Sequence, residues 1–403
     1  MRNQYVNKDR RHFIKKGVAG LAGVTILPSV LRGEKKEEKT KKFMFRTLGK
    51  TGLKLPIVNM GVMNADNPEL VRAALDAGIV LLDTAHGYQR GRNEEMIGKV
   101  IKDRPRDSYI IATKVPGDNQ DRKTGLFTKE TKAEPFIEKF HISLKRLGLE
   151  YVDILYLHSV VKRDAVLFEP LLSAMVKLKK EGKVRFIGVS THRNEPEVLR
   201  AAADSKVHDV VLTAYNFLQP HIADVQKAIT YAVNKGLGIV AMKTQAGVYW
   251  DRERQHQINM KAALKWALQN ENIHTAIPGF TTFDQVKLDL TVMEDLALTQ
   301  QEKIDLKLDK KLALAGLYCQ QCGACISQCR ENLEIPTYMR SYMYAYGYRN
   351  LGLARDTLES LNLSGIPCSD CSTCKVNCSM GFDVKNKMLD IIRIKAVPED
   401  FLV

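Results

Sequence analysis

A chain of 403 residues is longer than one ordinary domain, and 45% hydrophobic residues supply a sizeable core, which excludes a disordered or collagenous chain. The formal net charge of +15 first suggests nucleic acid, but residues 1–42 carry +8 of it, leaving +7 over the other 361 residues. With aromatics at 7% and no stripe of basic and aromatic residues, nucleic-acid binding drops out as a reading. All eight cysteines lie between Cys319 and Cys378, so a cysteine-free body precedes a cysteine-dense module of different chemistry.

The first segment, 1–42, reads as an export signal and linker. A charged stretch from Lys8 to Lys16 precedes fifteen apolar residues, Gly17 to Leu31, four of them Gly or Pro. That is too short to span a bilayer comfortably and fits the h-region of a signal peptide. Arg10-Arg11 with Phe13 resembles a twin-arginine signal, which implies twin-arginine export machinery and a periplasmic or membrane-associated location. A basic amphipathic tail or an uncleaved anchor is the other reading.

From residue 43 to 295, strand-length apolar runs alternate with amphipathic helical stretches. Strands are predicted near 55–62, 79–85, 109–115, 152–158, 184–190, 209–215, 238–244 and 274–279. Helices are predicted near 69–77, 93–102, 134–147, 170–181, 196–204, 223–235, 259–269 and 283–294. Eight βα units over roughly 250 residues predict an α/β fold, a TIM (β/α)8 barrel. A doubly wound sheet is disfavoured because no G-x-G-x-x-G follows a strand.

In a barrel, chemistry sits at the carboxyl ends of the strands. Asp83 ends the second strand with Tyr88 just beyond, Lys114 lies near the end of the third, and His158 ends the fourth. A buried lysine is costly unless paired, and Asp83 is the available partner. The ammonium would then favour the Tyr88 phenolate, lowering a pKa that starts near about 10. Such a tyrosine can give a proton to a carbonyl oxygen while hydride reaches the carbon, with His158 orienting the oxygen.

Asp83-x4-Tyr88 with Arg92-Asn93-Glu94-Glu95, the Ala112-Thr113-Lys114 strand, Ser143 to Gly148 leading to His158, and Gly188-Val189-Ser190 together resemble the aldo-keto reductases over roughly 43–294. The resemblance implies a catalytic tetrad of Asp83, Tyr88, Lys114 and His158, an NAD(P) cofactor, and a small carbonyl or alcohol substrate. Ser190, Met242 and Gly279 fall where that family contacts the nucleotide. Ser190 is retained. Leu212 stands where a Gln usually holds the nicotinamide amide, Met242 where an aromatic often stacks, and Gly279 and Gln285 where Lys and Arg grip the 2′-phosphate.

Residues 296–316 read as a polar helical linker, 317–390 as a cysteine module, and 391–403 as a C-terminal tail. Cys319, Cys322, Cys325 and Cys329 are spaced C-x2-C-x2-C-x3-C, and Cys368, Cys371, Cys374 and Cys378 repeat it. Zinc and disulfides are alternatives. The spacing resembles bacterial ferredoxins, which implies two 4Fe–4S clusters with the fourth cysteine of each run serving the other cluster. That assigns Cys319, Cys322, Cys325 and Cys378 to one, and Cys368, Cys371, Cys374 and Cys329 to the other. The 38 residues between the runs suggest an α-helical ferredoxin-like domain, with helices near 337–348 and 353–361. Tyr338, Tyr342 and Tyr346, with Tyr344 and Tyr348 beside them, read as core or as a docking face for an external redox partner. The whole reads as an exported iron–sulfur oxidoreductase. The alternative is an electron-transfer or binding protein whose barrel has lost nicotinamide turnover.

Overall fold

The computed structural model describes residues 43–402 except 122, 248, 250–255, 307–318, 320, 362–365 and 370. The expected export signal lies outside the described residues, as does most of the second half of the expected linker, whose first half holds a helix at Gln300–Leu306. Among the described residues, no helix is long and apolar enough to cross a membrane.

An antiparallel hairpin, β1 (Phe45–Thr47) and β2 (Lys54–Pro56), precedes eight parallel strands. These are β3 (Met60–Gly61), β4 (Leu81–Asp83), β5 (Ile110–Val115), β6 (Val152–Leu157), β7 (Val184–Thr191), β8 (Val210–Ala214), β9 (Gly238–Met242) and β10 (Thr275–Ala276). They pair in sequence order, and bridges from Val58 to Ala276 and from Gly61 to Gly279 close the barrel. Both faces of each strand are covered, which is why β6 is buried along its whole length.

The helices bind the barrel through apolar stripes at helical spacing. In Ala133–Leu147, Phe136, Phe140, Leu144 and Leu147 are buried, and Gly148 ends the helix at φ +65°, where a side chain would be strained. The hairpin plugs the amino-terminal end: Leu48, Leu53 and Leu55 join Leu81, Ile154 and Leu212 in the barrel's inner core. Gly49 makes this approach possible, because a Cβ there would lie 2.3 Å from the Gly238 nitrogen.

The predicted strand at 55–62 is instead two short strands. Pro56 has no N–H, and the buried Asn59 side chain takes over the pairing between them. Its amide donates to Pro56 O and Thr275 Oγ1, each at 2.9 Å, and its oxygen accepts from Val80 N and Leu81 N.

Beyond the linker, helices Ile335–Tyr342, Leu351–Glu359 and Val384–Ile392 form a second core. A π-type turn, Met343–Gly347, follows the first of them, ending it earlier than predicted. The expected boundary at 390 falls inside the last helix, and Ile391 and Ile394 are buried, so residues past 390 belong to this module. Ala246, Met63, Phe217 and Leu218 from the barrel loops pack on the same core, seating the module over the carboxyl ends of the strands.

Replacing Asn59 by Ala deletes four buried hydrogen bonds and strands two backbone N–H groups. Barrel stability should fall by about 2–4 kcal/mol in denaturant unfolding followed by circular dichroism. A loss near zero would show that the strands close without this side chain.

Candidate active site

The side chains expected at the strand ends do converge. Lys114 is buried in β5 and forms an ion pair with Asp83, the last residue of β4. Its ammonium also donates to Thr84 O at 2.7 Å and to the Tyr88 hydroxyl at 3.2 Å, with Nζ 4.8 Å from the Tyr88 ring centre. The His158 ring faces Tyr88 edge-on, 6.0 Å between centroids.

Burial pulls Lys114 toward the neutral amine, but Asp83 and Tyr88 outweigh it and hold the ammonium above its ordinary range. Burial also drives Tyr88 upward, opposed by Lys114. The expectation that Lys114 would bring the Tyr88 pKa below its ordinary value is therefore corrected: in this buried setting desolvation wins and the phenol is retained. Burial, with Lys114 and Arg340 nearby, lowers His158 to about 3, so the imidazole is neutral.

The remaining motif residues build the frame. Asn93 accepts from the Thr84 hydroxyl at 2.6 Å and donates to Val62 O, tying the loop after β4 to the strand beside it. Glu94 accepts from Thr113 Oγ1 and from Arg146, which also donates to His86 O. Gln89 and Arg90, directly after Tyr88, sit at φ +50° and +56°. This left-handed turn is clamped on both sides: Gln89 donates to Met63 O, while Arg90 pairs with Glu359 and, at 2.8 Å, with Asp356 of the second module.

The tetrad opens into a cavity of about 510 Å³. Met242 and Gly279 line it, as does Ser159, whose N–H donates to the Ser190 hydroxyl at 2.9 Å. Ser190 itself is fully buried behind Ser159, so it positions that residue and does not form the wall. Leu212 is buried in the inner core, and Gln285 is engaged locally: its side chain accepts from Thr281 N and Thr282 N, capping the helix Phe283–Val292. A larger groove of about 1010 Å³ runs outside the barrel between Glu95 and Tyr151 and contains no member of the tetrad.

The far wall of the cavity comes from the second module: Arg340, Met343, Tyr344, Tyr348 and Arg349. The sequence reading missed Arg340, together with Lys243 and His192, which also line the cavity. Nothing local marks Arg340, and its role depends on a module that follows the barrel in sequence. Of the tyrosines, Tyr338 and Tyr342 are core, whereas Tyr344 reaches across to the Met63 sulfur at 3.8 Å.

All eight cysteines are free. Cys319, Cys322, Cys325 and Cys378 line one small cavity, the set implied by crossed ligation. Burial and mutual repulsion push Cys319 up to about 11 and Cys325 to about 12, while Cys368 is raised by burial and by Cys371, Cys329 and Cys374. The thiols thus fall into two sets of four. Among the described residues, no three His, Cys, Asp or Glu side chains gather as a site for a single metal ion.

Residues 54–261 match the Aldo/keto reductase family, and residues 318–383 match a 4Fe-4S dicluster domain. L-galactose dehydrogenase of Arabidopsis thaliana is 29% identical over 304 residues, covering 64% of this chain and 92% of its own. The solved aldo-keto reductase AKR11C1 from Bacillus halodurans, in its holo form, is 25% identical with a TM-score of 0.54, over 69% of this chain and 98% of that one. An aldo-keto reductase from Klebsiella pneumoniae in complex with NADPH shares the fold at 22% identity and a TM-score of 0.50, over 66% and 94% of the two chains.

Replacing Lys114 by Met leaves Asp83 buried and unpaired. It should cost about 3–5 kcal/mol in denaturant unfolding, and the double replacement Asp83→Asn with Lys114→Met should recover much of that loss. A single variant as stable as the parent would mean that the pair is not buried as described.

Proposed function

Because the chain belongs to the aldo/keto reductase family, and is an oxidoreductase acting on a carbonyl/alcohol pair, we propose that Tyr88 is its general acid/base. The observation that carries this is the single ammonium of Lys114 reaching Asp83, Thr84 O and the Tyr88 hydroxyl. In reduction, the carbonyl oxygen lies between Tyr88 and His158. The phenolic proton moves to that oxygen as hydride reaches the carbon, and Lys114 stabilises the phenolate left behind. Asp83 keeps Lys114 charged throughout. His158 is neutral and offers an N–H to the same oxygen. Oxidation of an alcohol runs the same transfers in reverse.

A nicotinamide bound in the cavity would supply the hydride, and Met242, Gly279 and Ser159 are the residues that would hold it. The two cysteine sets would hold two 4Fe–4S clusters, each a one-electron carrier, which together with a proton would return to an oxidised nicotinamide the two electrons its hydride gave the carbonyl. Electrons would pass between the barrel mouth and an external redox partner. Twin-arginine export accords with this reading, since clusters have to be inserted before translocation and then travel in a folded protein. A barrel that no longer turns over free nicotinamide is the second reading, favoured by Leu212 in the inner core and by Gln285 committed to its helix cap.

Tyr88→Phe should lower carbonyl reduction by about 10²–10⁴-fold without altering cluster content. A variant with full activity on every carbonyl tried would remove Tyr88 from the mechanism. Iron and acid-labile sulfide in anaerobically prepared protein should each approach eight per chain, as two 4Fe–4S clusters require. Zinc without sulfide would overturn the cluster assignment. Turnover with a one-electron dye, together with weak or absent turnover with free NADPH, would support electron relay. Rapid NADPH turnover with spectroscopically silent clusters would oppose it.

A further inference from the structure

The cavity beside the tetrad is lined by several basic side chains, Arg340 among them. Arg340 extends into it from the helix Ile335–Tyr342, anchored by its neighbours Tyr338 and Met339 in the second core. Its guanidinium donates to the neutral Gln321 Oε1 at 2.9 Å, its Nε is buried without a partner, and it pairs with no carboxylate among the described residues. Lys243 and Arg349 line the same space. Of the acids in that wall, Asp83 is bound by Lys114, and burial raises Asp289 to about 7 while Gln245 donates to it. A half-buried guanidinium that meets no carboxylate among the described residues is costly until something supplies the opposite charge.

The position of Arg340 indicates which end of a ligand it meets. Its charge reaches Tyr88 and His158, which bracket the reacting oxygen, and also His192 and Lys243. In the cavity it therefore lies close enough to Tyr88 and His158 to meet a ligand held at the reacting oxygen.

We propose that Arg340 holds a carboxylate of the substrate, so that the enzyme acts on carbonyl compounds carrying an acid group and on the matching hydroxy acids. This rests on the carbonyl/alcohol reading of the tetrad. A planar guanidinium suits a carboxylate in a two-point contact and so fixes the carbonyl relative to Tyr88 as well as attracting the acid. Because the iron–sulfur module supplies Arg340, that module sets specificity in addition to any electron transfer.

The test uses anaerobically prepared full-length holoenzyme. Oxo-acids of two to five carbons with a terminal aldehyde are compared with their neutral amides, using NADPH and a reduced viologen dye as donors in parallel. The parent should prefer an acid over its amide. Arg340→Gln should lower kcat/KM for the acid on the order of 10²-fold more than for the amide, mostly through KM. Arg340→Lys should recover part of the loss, and the visible absorbance of the clusters should not move. The proposal is overturned if the parent shows no preference for any acid, if Arg340→Gln depresses acid and amide equally, or if it raises only the KM for NADPH, which would make Arg340 a nucleotide-phosphate contact. Should none of these aldehydes turn over, calorimetric binding of the same acids and amides decides: acid-selective binding lost in Arg340→Gln supports the proposal, and absent or unselective binding overturns it. Failure of the tetrad reading shows separately, as full activity in Tyr88→Phe.

Discussion

An ammonium inside a barrel has few ways to remain charged, and much of this site follows from how Lys114 manages it. Its strand places Nζ among Asp83, the Thr84 carbonyl and the Tyr88 hydroxyl, so three neighbours share one cation. Each depends on the register of β4 against β5, where Asp83 is opposite Ala112, and on the clamped turn after Tyr88. Moving either strand by one residue would turn the carboxylate or the ammonium to the wrong face. The frame of Asn93, Glu94 and Arg146 is best understood as protection of that alignment.

The sequence was most legible where chemistry and periodicity agreed. Asp83, Lys114 and His158 sit at successive strand ends and were recognisable from their places on apolar runs, with Tyr88 in the loop just after the first of them. The crossed cysteine sets came from the ferredoxin resemblance, and Cys378 lines one cavity with Cys319, Cys322 and Cys325. Other features were hidden for physical reasons. The hairpin before the barrel resembled part of the first strand because Asn59 makes side-chain bonds that no apolar pattern reports. The burial of Tyr88 could not be judged without the cavity, so the expected direction of its pKa was wrong. Ser190 was marked as a nucleotide contact from the resemblance alone, and the structure places it behind Ser159, whose N–H donates to its hydroxyl.

Arg340 belongs to a different category. It lies 182 positions after His158 in the chain, on a helix whose other buried residues simply fill a core. Its importance comes from the docking of one module on the other, and no local pattern encodes that docking. The contacts that achieve it are modest: Arg90 with Asp356 and Glu359, Tyr344 against Met63, and Ala246 within the second core. Electrostatics and packing thus join two folds whose sequence signals are entirely separate.

The wall formed by Arg340, Tyr344 and Tyr348 stands on helices held between the two cysteine runs. Chain segments organised by cluster ligands lose their order when the clusters are lost, because ligand binding and folding are the same free energy. On the proposed cluster assignment, a barrel without its clusters would have a reaction chamber missing a side. A newly made or oxidatively damaged molecule would remain an open vessel, unable to retain a substrate or shield a reactive intermediate from water. On that assignment, ligation of the cysteine sets would then work as quality control on the carbonyl chemistry, withholding activity until this wall is in place.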